Sequence, residues 1–113
     1  MLEIEFAVPS DCDLAEAEKI VEHACSALGL KLVIKGSLAS YPGSVHWHYK
    51  SHGDKGTLEL TLFARRRRLW AKVQRGRRAP WIDAMLPKVQ KGIELQLNRI
   101  CNRSSSGANL NEA

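Results

Sequence analysis

The sequence predicts an α+β fold, a two-layer sandwich with the element order β-α-β-β-β-β-α. In it, two helices cover one face of a five-stranded, mainly antiparallel sheet. Five short segments alternate apolar and polar residues with a period of two, which is typical of strands with one buried face. Two longer segments repeat apolar residues at helical spacing. The strand segments are 2–8, 30–35, 45–49, 58–63 and 69–74, and the helical segments are 14–28 and 80–100.

The chain is predicted to form one domain over residues 1–102, followed by a flexible C-terminal tail over residues 103–113. With 113 residues, 44% of them hydrophobic, it is long enough for one core. The tail is rich in serine and asparagine and has no apolar period. In the first helix Asp13 is the expected N-cap and Gly29 the left-handed end. Pro80 can begin the second helix, and Pro87 predicts a kink or break near Leu86.

Charge is distributed unevenly along the chain. Residues 1–30 carry seven acidic and one basic residue, a net charge of −6, whereas the remainder carries sixteen basic and five acidic residues, a net charge of +11. Such an asymmetry favours an acidic partner, whether nucleic acid, an anionic ligand or an acidic protein surface. The alternative is that both faces are simply solvated charge. Residues 65–78 contain no acid, and we predict that their basic side chains bind nucleic acid or another anion: Arg65, Arg66, Arg67, Arg68, Lys72, Arg75, Arg77 and Arg78.

The first candidate surface is the hairpin tip at residues 65–68. Pairing Leu62 with Ala71 places Phe63 opposite Trp70 on the face that the helices leave open. Arginines neutralise phosphates and exposed aromatic rings stack on bases, so this combination predicts a nucleic-acid platform. Two alternatives stay open: the aromatic pair is a homodimer interface, or the whole tip is solvated surface.

The second candidate lies just before the second helix, where Arg75, Arg77 and Arg78 precede Pro80. Cations at a helix N-terminus oppose the helix dipole, so this arrangement has an energetic cost. A bound phosphate or carboxylate would reconcile the arginines with the free N–H groups of the first turn. The alternative is that these side chains extend into water or pair with the acidic residues.

The third candidate is the pair His46 and His48, which lie on the same face of one strand with Glu59 predicted opposite His48. Two imidazoles and a carboxylate can ligate one metal ion. Lys35 and Lys72, predicted in the same rows of the open face, argue against a cation. We therefore expect polar surface histidines, or a pH-dependent contact to an anion or to a second copy, and neither a metal nor a cofactor.

The remaining features indicate a binding module in the cytoplasm. Cys12, Cys25 and Cys101 are widely spaced and odd in number, so reduced thiols are expected. No apolar segment approaches the length of a membrane span, and the N-terminus lacks the pattern of a secretory signal. No sequence motif specifies a reaction, so an enzyme is not favoured. The function predicted is binding of nucleic acid or another polyanion by a homodimer. The alternatives are a protein–protein or dimerisation module, or binding of a small anionic ligand.

Overall fold

The computed structural model describes residues 1–10 and 13–112, with side chains described through residue 101. The α+β fold predicted from the sequence is confirmed, in the predicted order of strands and helices. The elements are β1 (Leu2–Glu5), α1 (Ala17–Ala27), β2 (Lys31–Leu38), β3 (Tyr41–Lys50), β4 (Leu58–Phe63), β5 (Arg68–Val73) and α2 (Pro80–Glu112). Short 3₁₀ turns precede α1 and β5, at Leu14–Glu16 and Ala64–Arg66.

All five strands form one antiparallel sheet in the order β1-β5-β4-β3-β2. The helices pack on the face that carries the alternating apolar residues, and the core between the two layers is mostly aliphatic and includes the large indole of Trp47. The predicted core positions of β4 and β5 are all buried: Leu60, Leu62, Ala71 and Val73. The period-two pattern therefore predicts the buried face correctly.

The ends of α1 follow the predicted signals. The Asp13 side chain accepts a hydrogen bond from the Ala15 N–H at 3.0 Å and caps the 3₁₀ turn that leads into the helix. Gly29 has φ +78°, its N–H bonds the Ser26 carbonyl at 2.9 Å, and the Leu30 N–H bonds the Cys25 carbonyl at 3.1 Å. This is the Schellman motif expected at a glycine C-cap.

Helix α2 is continuous across Pro87, so it has no break near Leu86, and the alternative of a kink there stays a prediction. Proline removes one intrahelical hydrogen bond, but Leu86 and Val89 on either side of it are buried in the core. Packing of this apolar stripe outweighs the lost bond. The backbone of α2 extends to Glu112, and the flexibility of residues 103–113 stays a prediction. Within the described residues, neither helix combines the length and the apolarity that a membrane span requires.

The pairing of β4 with β5 differs from the predicted register by two residues. Leu62 lies opposite Leu69, and Phe63 lies opposite Arg68 rather than Trp70. The connection is short because the 3₁₀ turn Ala64–Arg66 is followed by Arg67 in the left-handed conformation, with φ +55°. A slip of two residues keeps every side chain on its predicted face, so alternation alone cannot detect it.

The pairing of β2 with β3 contains register shifts, the first between Leu32 and Ile34. Beyond it, Gly36 faces His46, and Lys35 faces Trp47 and lies on the helix side of the sheet. A bulge inserts one residue and reverses the alternation of all residues after it. The placement of Lys35 on the open face is therefore wrong.

Glu22 of α1 connects the first helix to the sheet. Its carboxylate accepts a hydrogen bond from Trp47 Nε1 at 2.8 Å and lies 2.6 Å from Lys35 Nζ, which also pairs with Glu18. The hydrogen bond from Lys35, followed by that from Trp47, lowers the pKa of Glu22 below its ordinary value of 4.5. This carboxylate therefore stabilises the fold above that pH, and the stabilisation is lost as the pH falls through the lowered pKa.

We expect Glu22→Ala to lower the free energy of unfolding by about 1–2 kcal/mol at pH 7, because it leaves the indole N–H of the buried Trp47 without its acceptor. Glu22→Gln retains an acceptor and should cost less, while the loss of stability on acidification below pH 4.5 becomes shallower. Urea titrations across pH, with Glu18→Gln as the control, measure both effects. Equal costs for the alanine and glutamine variants would contradict this account.

The cysteines depart from the expectation of three reduced thiols. Cys25 is free and fully buried, and burial raises the pKa of its thiol to about 12, so it is inert at neutral pH. Cys101 is disulfide-bonded. The interpretation as reduced is thus wrong for Cys101. Because sequence spacing does not show which cysteines approach one another in space, the bond could not be predicted.

Candidate functional site

The aromatic surface predicted to stack on bases is covered by other side chains in the structure. Trp70 lies on the open face of the sheet but is only 4% exposed. The Tyr41 ring packs edge-on against Phe63 and Trp70, at centroid distances of 5.3 and 5.1 Å, and the Arg68 guanidinium lies 4.4 Å from the Trp70 ring centroid. The indole is therefore covered by its own neighbours and has no free face on which a base could stack.

A compact cluster of two histidines on β3 and one glutamate on β4 occupies the same open face of the sheet as Trp70. The Nε2 atoms of His46 and His48 are 3.0 Å apart, and Glu59 Oε1 lies 3.3 Å from the first and 3.8 Å from the second. The predicted pairing of His48 with Glu59 is confirmed, and the neighbouring Trp47 lies opposite Leu60. Three ligand atoms converge within 4.8 Å of one another.

The cluster is largely buried, and a neighbouring hydroxyl group orients one of its imidazoles. His46 Nδ1 lies 2.7 Å from the hydroxyl of Thr61, which is 1% exposed and fixes the plane of the imidazole. Burial lowers the pKa of His46, while the nearby Glu59 carboxylate acts in the opposite direction. Burial thus favours the neutral form of the imidazole, and the contact with Thr61 orients the ring.

One of the two lysines expected near the cluster lies there, and the other does not. Lys72 is the cross-strand neighbour of Glu59, as the antiparallel register requires. Lys35 is on the opposite side of the sheet, paired with Glu18 and Glu22. One of the two positive charges that argued against a cation at this position is thus absent from the open face.

The cluster forms part of the wall of an open depression of about 530 Å³ on the sheet face. Arg77 lines the same depression and joins it to the basic segment before α2. The depression is lined by Leu38, His46, His48, Glu59, Gln74 and Arg77. It is large enough for water or a small anion to approach the imidazoles.

The arginines of the hairpin tip fall into two groups. The Arg67 guanidinium donates to the Pro9 carbonyl at 2.8 Å, and Arg68 is ion-paired with Glu5. Arg65 and Arg66 are exposed, and the described part of the chain provides neither with an acceptor. These two are available to a ligand, whereas Arg67 and Arg68 help to attach β1 to β5.

The arginines before α2 divide in the same way. Arg78 lies 3.2 Å from Asp83 in the first turn of the helix, which offsets the repulsion between this cation and the helix dipole. Arg75 and Arg77 are exposed and have no acceptor among residues 1–10 and 13–101. Strand β5 separates them from the hairpin tip by roughly 25 Å at the usual rise per residue.

Sequence reasoning missed the role of Tyr41, because the predicted strand segment starts at residue 45, whereas β3 begins at Tyr41. Nothing in the local pattern shows that this ring crosses to Phe63 and Trp70. Thr61 could have been found, since the β3–β4 register places it directly opposite His46.

Comparison of the chain with protein-family models, curated proteins and solved structures found no match. Functional inference therefore depends on the geometry of the described residues.

Proposed function

We propose that the chain binds nucleic acid, or another polyanion of similar charge density, through its free arginines. The observation that supports this function is that four exposed arginines, at the two ends of β5, have no carboxylate partner within the described part of the chain: Arg65, Arg66, Arg75 and Arg77. Unpaired guanidinium groups bind phosphate oxygens, often through two parallel hydrogen bonds. An acidic protein surface is the runner-up ligand and would use the same side chains.

The mode of binding follows from the absence of an accessible aromatic ring at Trp70. Because Trp70 is covered by Tyr41 and Arg68, base stacking contributes little, and the interaction is electrostatic and independent of sequence. Lys72 lies between the two arginine pairs along β5 and is half-buried, so it adds charge to the surface that an extended ligand would cross.

The distance between the two ends of β5 sets the size of the ligand. A gap of roughly 25 Å means that only an extended polyanion contacts both arginine pairs at once. A short oligonucleotide contacts one pair and should bind weakly, whereas a longer one gains from simultaneous contact with both.

Fluorescence anisotropy with labelled oligonucleotides tests the proposal. Single-stranded and duplex probes of about 30 nucleotides should bind with micromolar or tighter affinity at low salt, and random and homopolymeric sequences should bind alike. A probe of about five nucleotides should bind far more weakly. Undetectable binding of the long probes to the folded protein would rule out the proposal.

The cytoplasmic location expected from the sequence stays a prediction. The disulfide at Cys101 counts against it, because structural disulfides are rare in reducing compartments. Measuring the redox state of Cys101 in cells, together with the location of the protein in cell fractions, would decide between a reducing and an oxidising compartment.

A homodimer is a second candidate, favoured by the exposed apolar residues of the edge strand β2. Leu32, Val33 and Ile34 are 41%, 42% and 54% exposed, and the outer edge of β2 carries no further strand among the described residues. Such an edge can pair with the same strand of a second copy. This differs from the dimer face predicted on Phe63 and Trp70, where Trp70 is buried within the protomer.

Light scattering after size exclusion tests the dimer. A dimer that Ile34→Lys dissociates, and that Leu95→Lys on the exposed side of α2 leaves intact, supports pairing through β2. A monomer at every accessible concentration excludes it.

A further inference from the structure

The cluster of two histidines and one glutamate on the open face has the form of a metal site. We propose that His46, His48 and Glu59 bind one Zn²⁺ ion. The inference is independent of the proposed polyanion binding, because it concerns different side chains and none of the four free arginines is a ligand.

The spacing of the ligand atoms is the first argument. Three ligands of a tetrahedral Zn²⁺ ion with bonds of about 2.0–2.1 Å are separated from one another by about 3.3 Å. The three separations in the cluster are 3.0, 3.3 and 3.8 Å. One ion can therefore contact all three atoms after shifts of a few tenths of an ångström.

The support behind the ligands is the second argument. A ligating histidine usually donates its other ring N–H to an oxygen, which fixes the tautomer and the ring plane. His46 Nδ1 is 2.7 Å from Thr61 Oγ1, and with Nδ1 as the donor the lone pair of Nε2 is directed at the cluster. The ligands also lie on the central strands β3 and β4, whose paired backbones hold them rigidly.

The surroundings indicate an open site with three protein ligands. The cluster forms part of the wall of the depression that is also lined by Gln74 and Arg77, so a water molecule can occupy the fourth position. Lys72 and Arg77 place positive charge nearby and lower the affinity for the bare cation. The same charges favour an anion over water as the fourth ligand.

Without an ion, the same three atoms can be joined by shared protons, since Nε2 of one imidazole can donate to the other or to the carboxylate. This arrangement is a hydrogen-bonded cluster with no affinity for metal. The three distances are compatible with a zinc site and with a hydrogen-bonded cluster, and a direct measurement of zinc binding separates the two arrangements.

Isothermal titration of the tag-free, chelator-treated protein with zinc chloride is the decisive experiment. We expect one ion per chain with micromolar or tighter affinity, and an increase in melting temperature that grows with zinc concentration. Co²⁺ in place of Zn²⁺ should give the strong visible absorption of a tetrahedral site. Absence of saturable zinc binding to the wild-type protein overturns the proposal, whatever the variants show.

Variants locate the site. Glu59→Gln keeps the shape of the side chain, and His48→Ala removes a partly exposed ring, so both should fold and lose zinc binding at least tenfold. His23→Ala and His52→Ala change exposed histidines outside the cluster and should bind as the wild type does. Zinc binding that survives both cluster variants would place the ion elsewhere and contradict the assignment. Failure of zinc binding leaves the polyanion assay unaffected, so the two proposals fail separately.

Discussion

Replacing the four free arginines by glutamine should weaken the binding of a long oligonucleotide by two to three orders of magnitude near physiological salt. Each phosphate contact releases about 0.9 condensed counterion, which is worth about 1 kcal/mol at that salt concentration, so four contacts contribute about 4 kcal/mol. Anisotropy titrations of the wild type and the quadruple variant give the ratio directly. The variant changes exposed side chains alone: Arg65, Arg66, Arg75 and Arg77.

Two double variants test whether both ends of β5 act together. Arg65→Gln/Arg66→Gln and Arg75→Gln/Arg77→Gln should each weaken binding of the long probe by about tenfold or more, and each should remove most of the advantage that the long probe has over the short one. Lys88→Gln/Lys91→Gln removes the same amount of charge from α2 and should change little. A loss in this control equal to that in the arginine variants would show that only net charge matters, and would contradict a defined surface.

Replacing Gly56 by alanine should cost about 3 kcal/mol or more of the free energy of unfolding. Gly56 has φ +99°, where an L side chain is strained by about 1–2 kcal/mol. A Cβ atom there would lie 2.7 Å from Ala79 Cβ and 2.9 Å from the Arg77 carbonyl. Neither atom is the end of a flexible side chain, so the backbone before α2 must shift.

The control for this variant is Gly43→Ala, since Gly43 has φ +85° but a Cβ atom added there would meet no atom within 4 Å. It should cost only the conformational strain, about 1–2 kcal/mol. Chemical denaturation of both variants gives the difference. Similar costs at the two positions would show that the close approach to Arg77 and Ala79 is absent in solution. The shift at Gly56 should also displace Arg77 and reduce polyanion binding.

The extent to which the sequence predicts the sheet is clear from the hairpin of β4 and β5. Alternation assigns Leu60, Leu62, Ala71 and Val73 to the core, and all four are buried. It does not determine the pairing, since a slip of two residues preserves every face. The four-residue connection between Phe63 and Arg68 depends on Arg67 adopting a left-handed conformation, which a non-glycine residue rarely does.

The candidate sites also show that sequence patterns predict the face of a residue better than its neighbours in space. His46, His48 and Glu59 come together as predicted because the β3–β4 pairing is regular. Lys35 does not join them, because a bulge in β2 reverses its face. The closure of Trp70 by Tyr41 depends on a tertiary contact between side chains 29 positions apart, which no local pattern encodes.

The measurement that tests the proposed function most directly is the salt dependence of oligonucleotide binding. With four arginine contacts, the slope of log affinity against log salt concentration should be about −3 for single strands and about −4 for duplex, and it should fall toward zero in the quadruple arginine variant. A slope near zero in the wild type, or a steep slope that the variant leaves unchanged, would contradict binding of a polyanion through these side chains.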